Sequence, residues 1–225
     1  MTTLYVHEVV DIVGQAGPRY MELTLRFDTE RAADRGLRLV GTWQVVGVTG
    51  RWPQVVNLWE TVDGWEGWRR VVQASGTKRA GNAELASWWE EAYATRTGGF
   101  DRLLRSASPT PSLDQLVGAG VHGSLFVHEL SQVLPGGGAD YLAAAADEWL
   151  PVLADHGHRL VGLYEVLLGD TEVVTVWATD LDAHLALQQS DDERIGKWRD
   201  TARSFLTRWR EELMVPAPGA PLSLI

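Results

Sequence analysis

The chain has 225 residues, of which 45% are hydrophobic and 22% charged, and its formal net charge is −10. This acidic balance argues against nucleic acid or an anionic membrane as a partner, because both attract basic surfaces. The chain has no cysteine, which excludes disulfides, thiolate nucleophiles and cysteine-ligated zinc or iron–sulfur centres.

The first half of the chain predicts alternating strands and helices. A β-branched and aromatic run at 4–10 predicts a buried strand, and Pro18 suits the first turn of a helix that Gly36 ends. Strands are then expected at 37–46 and 54–59, helices at about 63–72 and 84–95, and a short strand at 103–107. The N-terminus lacks the basic and apolar regions of a signal peptide, and no apolar run approaches the roughly 20 residues that cross a bilayer. We therefore expect a cytoplasmic protein.

The second half predicts the same order after a linker at 109–123 that is rich in proline, serine and glycine. The expected elements are a strand at 125–133, an amphipathic helix at 141–153, a hairpin of two strands at 159–168 and 172–177, a helical apolar stripe at 198–213 and a closing strand at 213–215.

Repeated segments explain why this order recurs. Arg38-Leu39-Val40-Gly41 is found again as Arg159-Leu160-Val161-Gly162, 121 residues further on. At the same offset, Leu4-Tyr5-Val6-His7-Glu8 pairs with Leu125-Phe126-Val127-His128-Glu129. Matches in one register indicate a tandem duplication.

The duplication predicts an α+β fold of two tandem ferredoxin-like βαββαβ units, at 1–108 and 124–225, joined by the linker. Helices on one face leave the other face of each sheet bare, and that apolar face must be buried. We expect the two sheets to pack into a barrel, either within one chain or between copies in a homo-oligomer. Gly41 lies inside a predicted strand, where glycine usually marks a bulge or a close approach.

Two His-Glu pairs are the first candidates for chemistry. His7-Glu8 and His128-Glu129 recur on the first strand of each repeat among apolar neighbours. Adjacent strand residues point to opposite faces, so one member should face the barrel interior and the other the helices or a neighbouring chain. A histidine in an apolar cavity could serve as general acid or base, with the glutamate orienting it. The alternative is a hydrogen-bonded structural pair that the duplication copied.

Aromatic and basic residues on the central strands could hold a substrate. The candidates are the aromatic residues Trp43, Trp59, Tyr164 and Trp177 and the arginines Arg38 and Arg159. The rings could stack a planar ligand, with core packing as the alternative. The arginines could clamp a carboxylate, with a surface salt bridge as the alternative.

The remaining candidates have simpler interpretations. His156 and His158 flank Gly157 and are expected to stabilise a helix end. Nucleotide, flavin and zinc-protease motifs are absent from the sequence, so we expect no metal and no cofactor. The tryptophans at helical spacing are expected in the core or at subunit contacts, and they are Trp65, Trp68, Trp88, Trp89, Trp149, Trp198 and Trp209.

Several of these segments resemble the NIPSNAP family. The family carries a strand of the form RLVGYW followed by one of the form VVHLW, and 156–166 and 172–178 are similar to them. The tail at 213–221 is similar to the family's closing segment. The resemblance implies the dimeric α/β-barrel superfamily with both halves on one chain. That superfamily includes cofactor-free oxygenases, isomerases, cyclases and heme enzymes, and in its tandem heme members a helix histidine binds the iron, which makes His184 the candidate here.

Two functional hypotheses follow. The first is a cofactor-independent acid/base enzyme (an isomerase, cyclase, lyase or oxygenase) that acts on a small, largely apolar or aromatic metabolite in a barrel cavity, with a lid at 74–82. The second is a non-catalytic NIPSNAP-like module that binds a small molecule or a protein. A heme protein is a remote alternative to both hypotheses.

Overall fold

A computed structural model describes residues 3–76 and 83–224 of the chain. Most of the predicted lid segment, at 77–82, lies outside the described residues. Within the described residues, no helix combines the length and the apolar character needed to cross a membrane.

The first half contains four strands and three principal helices. The strands are β1 Leu4–Ile12, β2 Leu37–Val45, β3 Gln54–Thr61 and β4 Arg96–Ser106. The helices are α1 Gly17–Phe27, α2 Trp65–Gly76 and α3 Ala83–Tyr93. Helix α1 starts with Pro18 in its first turn and continues through a π-helical turn and a 3₁₀ turn to Gly36, whose φ of 72° is left-handed. Glycine adopts that conformation readily, and it ends the helix as the sequence predicts.

The second half repeats this order after helix α4 Leu113–Gly118, which a Ser112–Gln115 capping box begins. Its strands are β5 Leu125–Val133, β6 Arg159–Val166, β7 Glu172–Thr179 and β8 Leu206–Pro216. Its helices are α5 Gly138–Ala144, α6 Leu150–Asp155, α7 Leu181–Gln188 and α8 Glu193–Arg203, with a π-helical turn between α5 and α6.

The eight strands close into one antiparallel barrel in the order β1-β3-β2-β8-β5-β7-β6-β4. Two pairings join the halves, because β8 pairs with β2 and β4 pairs with β6. The predicted α+β fold with a barrel is therefore confirmed, and the barrel closes within one chain. The bare sheet faces meet inside it, as the burial argument requires.

The repeated tetrapeptide marks a bulge in each half. The register of β2 against β3 shifts between Leu39 and Gly41, and the equivalent shift in β6 falls at Gly162. A Cβ at Gly41 would lie 2.0 Å from the ring of Trp43, and one at Gly162 would lie 2.1 Å from the hydroxyl of Tyr164. The two glycines allow these rings to lie flat across their own strands.

Side chains pack the barrel interior. Trp43 and Phe126 meet with ring centroids 5.1 Å apart, and Tyr5 and Tyr164 meet at 4.9 Å. Leu113 of α4 packs into the same core. The predicted linker therefore contains a helix that covers part of this core.

Two predicted elements differ from the structure. The apolar stripe at 198–213 is wrong as a single helix, because α8 ends at Arg203 and β8 runs from Leu206. Helical and alternating spacings of apolar residues coincide at several of these positions. The segment forms a strand because β8 pairs with both β5 and β2. Strand β4 begins at Arg96, well before the predicted 103, because it pairs with β1 along its length.

Candidate active site

The two His-Glu pairs divide between the two faces of the barrel wall, as strand alternation predicts. His7 on β1 and His128 on β5 point inward and are fully buried. Glu8 and Glu129 point outward, toward the helices, where both accept hydrogen bonds from tryptophan indoles.

The inward histidines form one hydrogen-bonded pair. Their Nε2 atoms lie 3.0 Å apart, and Nδ1 of His128 lies 3.4 Å from Oε2 of the buried Glu212. A carboxylate beside Nδ1 favours the proton there, so we assign Nε2 of His128 as the acceptor and Nε2 of His7 as the donor. Burial lowers the pKa of His7, and His128 and Arg102 lower it further. Burial also lowers the pKa of His128, and Glu212 partly offsets that effect.

This pair lies in a packed interior, so the prediction of a cavity at His7 and His128 needs correction. The inward side chains of both halves pack into a hydrophobic core around the two imidazoles. Neither histidine lines the cavities described below.

A cavity of about 770 Å³ lies instead between the sheet and the helices of the second half. We call it the helix–sheet cavity. Trp149 and Trp198 stack in its wall with an interplanar angle of 11° and centroids 5.8 Å apart. Its apolar lining consists mainly of Val127, Tyr141, Trp149, Leu153, Trp177, Leu187, Ile195, Trp198 and Trp209. Its size and aromatic lining are those of a small-molecule site.

Two carboxylates line this cavity from neighbouring strands. Glu129 on β5 lies directly opposite Glu211 on β8. Burial raises the pKa of Glu129, an effect that hydrogen bonds from Thr175 and Trp177 oppose. Burial, together with the negative charge of Glu129, raises the pKa of Glu211 to about 7, and Arg199 opposes the shift. Both protonation states of Glu211 are therefore accessible near neutral pH.

Two buried histidines extend from Glu211. Nε2 of His184 lies 3.6 Å from Oε1 of Glu211, and Nδ1 of His184 lies 3.3 Å from Nε2 of His158. Nδ1 of His158 donates to the carbonyl oxygen of His156 at 3.0 Å. Burial lowers the pKa of His184, and it lowers that of His158 to about 4. Because neutral His158 donates through Nδ1, its Nε2 accepts a hydrogen bond from Nδ1–H of His184. The Nε2 of His184 then carries no proton and faces Glu211 as an acceptor.

The first half has the same carboxylate pair but a filled space beside it. Glu8 lies opposite Asp101, as Glu129 lies opposite Glu211. Burial raises the pKa of Asp101 to about 6, and Glu8 adds to the shift. Trp88 and Trp89 pack between the helices and this face of the sheet, against Phe27 and Trp59 among others. Bulky indoles thus occupy the position that is open in the second half.

The other predicted binding residues are dispersed. Trp177 lines the helix–sheet cavity and Trp59 occupies the equivalent place in the first half, but Trp43 and Tyr164 lie in the barrel core. Those two rings contact protein on all sides, so the prediction that they line the pocket needs correction.

The repeated arginines hold the segment between the halves. Arg38 forks onto Asp114 with distances of 3.0 and 2.5 Å, and Arg159 donates to the carbonyl oxygens of Gly120 and Ala119 at 2.6 and 2.9 Å. Both guanidiniums are committed to protein partners, so neither is placed to clamp a substrate in the helix–sheet cavity. The alternative of a structural role fits them.

Sequence reasoning missed Glu211, the carboxylate with the most useful pKa. Its partner in the repeat is Asp101, but the two lie at a different offset from the one that aligns the first strands, because the first half has longer loops. Glu211 also lay inside the stripe interpreted as a helix. Among residues 3–76 and 83–224, no cluster of histidines and carboxylates has the arrangement of a metal site.

Comparison with known proteins supports the fold. No protein-family model matches the chain, and no curated protein matches it either. Among solved structures, an anthrone oxidase-like protein matches 99% of this chain and 96% of its own at 15% identity, with a TM-score of 0.67. A protein of Lactobacillus acidophilus described as a "putative monooxygenase" matches 96% of this chain and 95% of its own at 8% identity, with a TM-score of 0.62. A NIPSNAP domain protein of Burkholderia xenovorans covers 42% of this chain and 96% of its own at 21% identity, with a TM-score of 0.38. The TM-scores of the first two likenesses show a shared fold with those structures.

Proposed function

We propose that the protein is an enzyme that moves a proton on a small, largely apolar or aromatic molecule bound in the helix–sheet cavity. One observation carries this proposal: Glu211, with a pKa raised to about 7, faces Glu129 in a cavity lined by tryptophans. Titratable groups in a cavity whose pKa values are shifted by burial and by a charged partner are typical of acid/base sites.

The roles of the residues follow from their surroundings. Glu211 serves as the general base and returns the proton as a general acid, because its pKa is close to working pH. Glu129 stays beside it as a hydrogen-bonded group that tunes that pKa. His184 takes up or returns the proton of Glu211 through the nitrogen that faces it. The stacked indoles of Trp149 and Trp198 form a flat wall for a planar substrate.

The reaction begins with removal of a proton from a C–H bond that is acidic because it lies beside a carbonyl or is conjugated to one through aromatic rings, and this leaves an enolate-type anion. Reprotonation elsewhere gives an isomer, and attack on an internal electrophile gives a ring. Reaction with dioxygen is the third course: an anthrone-type methylene and O₂ give a ketone and water. The name of the anthrone oxidase-like structure makes this course the first to assay.

We also propose that the chain arose by duplication of one ferredoxin-like unit, with units at 1–108 and 124–225 and the joining segment at 109–123. Among the described residues, the helix–sheet cavity belongs to the second unit. Trp88 and Trp89 close the first, so one unit gives stability while the other gives chemistry. The cell compartment we expect is the cytoplasm.

Two alternatives use the same cavity. A binding module would hold the ligand without turnover. A heme protein would need an axial ligand, and the residues present do not fit that role. Both ring nitrogens of His184 face polar protein groups, with Nδ1 at 3.3 Å from His158 and Nε2 at 3.6 Å from Glu211.

The test uses anthrone as the probe. Exchange of its methylene hydrogens with D₂O is followed by NMR without oxygen, and oxygen uptake is followed in air. We expect saturable acceleration of exchange that falls by about 10²-fold or more in Glu211→Gln. Asp101→Asn is the matched control, because it changes the equivalent carboxylate in the filled half. Saturable binding with no exchange and no oxygen uptake would favour the binding module instead.

A further inference from the structure

A smaller cavity, of about 180 Å³, lies at one end of the barrel and shares only Arg208 with the lining of the helix–sheet cavity. Val9 and Leu130 line it, and they follow His7 and His128 by two residues on the inward face of β1 and β5. We call it the barrel-mouth cavity. Its charged lining consists of Arg51, Arg102, Arg208, Arg210 and Glu172.

Arg102 is the most enclosed of these arginines. Its side chain is only 9% exposed, its Nε donates to Glu172 at 3.0 Å, and it stacks over Phe100 at 4.3 Å. Its Nη1 is buried and has no hydrogen-bond partner within the described residues. A buried guanidinium nitrogen without an acceptor is unusual, and a bound anion or water is its ordinary explanation.

The other arginines add donors around the same space. Nη2 of Arg210 contacts Glu212 at 2.9 Å, while its buried Nε has no partner in the described part of the chain. Arg51 pairs with Asp11 at 3.1 Å. Arg208 has no ion pair within residues 3–76 and 83–224 and is exposed at the edge. Arginines therefore outnumber the carboxylates that pair with them, in a chain whose net charge is −10.

We propose that the barrel-mouth cavity binds a small oxyanion, such as a carboxylate or phosphate group. Guanidinium forks match both groups in geometry and charge. One water occupies roughly 30 Å³ of liquid, so the cavity has room for about six waters, or for one such group with a few of them. The buried Arg102 would make the central contact, and Arg208 and Arg51 would close over the anion from the edge. This site shares neither Glu211 nor Glu129, so it stands independently of the proposed reaction.

The test measures binding of inorganic phosphate and of acetate to the full chain by calorimetry, at constant ionic strength. We expect saturable binding of at least one of them, weakened about tenfold in Arg208→Gln and in Arg51→Gln, since each removes a charge-assisted contact. Both side chains are exposed, so both variants should fold. Arg105→Gln is the matched control, because Arg105 lies on β4 beside this region but pairs with Glu165 at the surface.

Binding of phosphate alone would identify a phosphate group, and binding of acetate alone a carboxylate. Arg208 also borders the helix–sheet cavity, whereas Arg51 does not. Weaker anion binding in Arg51→Gln, together with unchanged anion binding in Glu211→Gln, therefore assigns the bound anion to the barrel-mouth cavity. Absence of saturable binding by either anion would overturn the proposal. Equal affinity in Arg51→Gln, Arg208→Gln and Arg105→Gln would overturn it as well.

Discussion

His7 and His128 are equivalent residues of the two halves, and their Nε2 atoms meet at 3.0 Å in the centre of the barrel. The contact joins β1 to β5, which are not neighbours in the sheet. Both imidazoles are fully buried and held neutral, with Glu212 beside His128. This geometry makes them a structural link between the halves.

Replacing His128 with alanine should therefore affect stability and spare the cavity. The change leaves His7 and Glu212 buried without their partner, and we expect a loss of roughly 2–4 kcal/mol in the free energy of unfolding. Urea unfolding measures it, with the exposed His122→Ala as control. Anthrone exchange by the folded fraction should stay within a few-fold of wild type. A selective loss of exchange in a stable variant would return His128 to the catalytic machinery.

The histidine pair should also make stability depend on pH. Burial lowers both pKa values below the ordinary 6.5, so the unfolded chain binds protons that the folded chain does not. The free energy of unfolding then falls as pH falls below about 6.5, by at most about 1.4 kcal/mol per pH unit for each proton. In His7→Gln the fall between pH 7 and pH 5 should be shallower than in wild type. Equal slopes in His7→Gln and wild type would contradict the assignment.

The mid-strand glycines should tolerate no side chain. Gly41→Ala places a Cβ at 2.0 Å from the ring of Trp43, and we expect a loss of about 3 kcal/mol or more because the rigid indole must move. Gly162→Ala should behave similarly beside Tyr164. Gly196→Ala is the control, since a Cβ there meets nothing within 4 Å inside α8, and it should stabilise by about 0.5–1 kcal/mol. Thermal or urea unfolding measures these changes in stability. A Gly41→Ala variant as stable as wild type would contradict the prediction and show that the bulge can adjust.

Trp177 should tune the cavity through Glu129. Its Nε1 donates to Glu129 at 2.9 Å, and Trp177→Phe removes that donor while keeping an aromatic wall. The protonated form of Glu129 is then favoured, so its pKa rises further. A less charged Glu129 raises the pKa of Glu211 less, and the pH dependence of exchange should move to lower pH. Trp59→Phe, which removes the equivalent donor to Glu8, should leave the profile where it is.

The sequence predicted the fold well where the signal was repeated or local. The shared segments around His7 and His128 predicted that the second half repeats the order of elements of the first, and the backbone requirements of Gly36 and Gly41 predicted a helix end and a bulge. Strand alternation also predicted that the two members of each His-Glu pair face opposite sides of the barrel wall, but not which member faces inward. The position of the cavity was not predictable, because it depends on whether indoles from distant helices fill a space. Trp88 and Trp89 pack into the space between helices and sheet in the first half, whereas Trp198 lines an open cavity in the second half.

Glu211 was missed for a related reason. Its importance comes from burial and from facing Glu129 across a strand pair, and neither is visible while its segment is interpreted as a helix. Register between β5 and β8 is a long-range property that local spacing does not determine.

The central claim is that Glu211 is the proton-transfer group of the helix–sheet cavity. The pH dependence of anthrone hydrogen exchange in wild type, Glu211→Gln and Asp101→Asn tests it most directly. We expect the wild-type rate of anthrone hydrogen exchange to rise with pH through an apparent pKa of about 7, because burial and Glu129 raise the pKa of Glu211 to about that value. That rise should disappear in Glu211→Gln and persist in Asp101→Asn. An unchanged profile in Glu211→Gln, or a loss confined to Asp101→Asn, would contradict it.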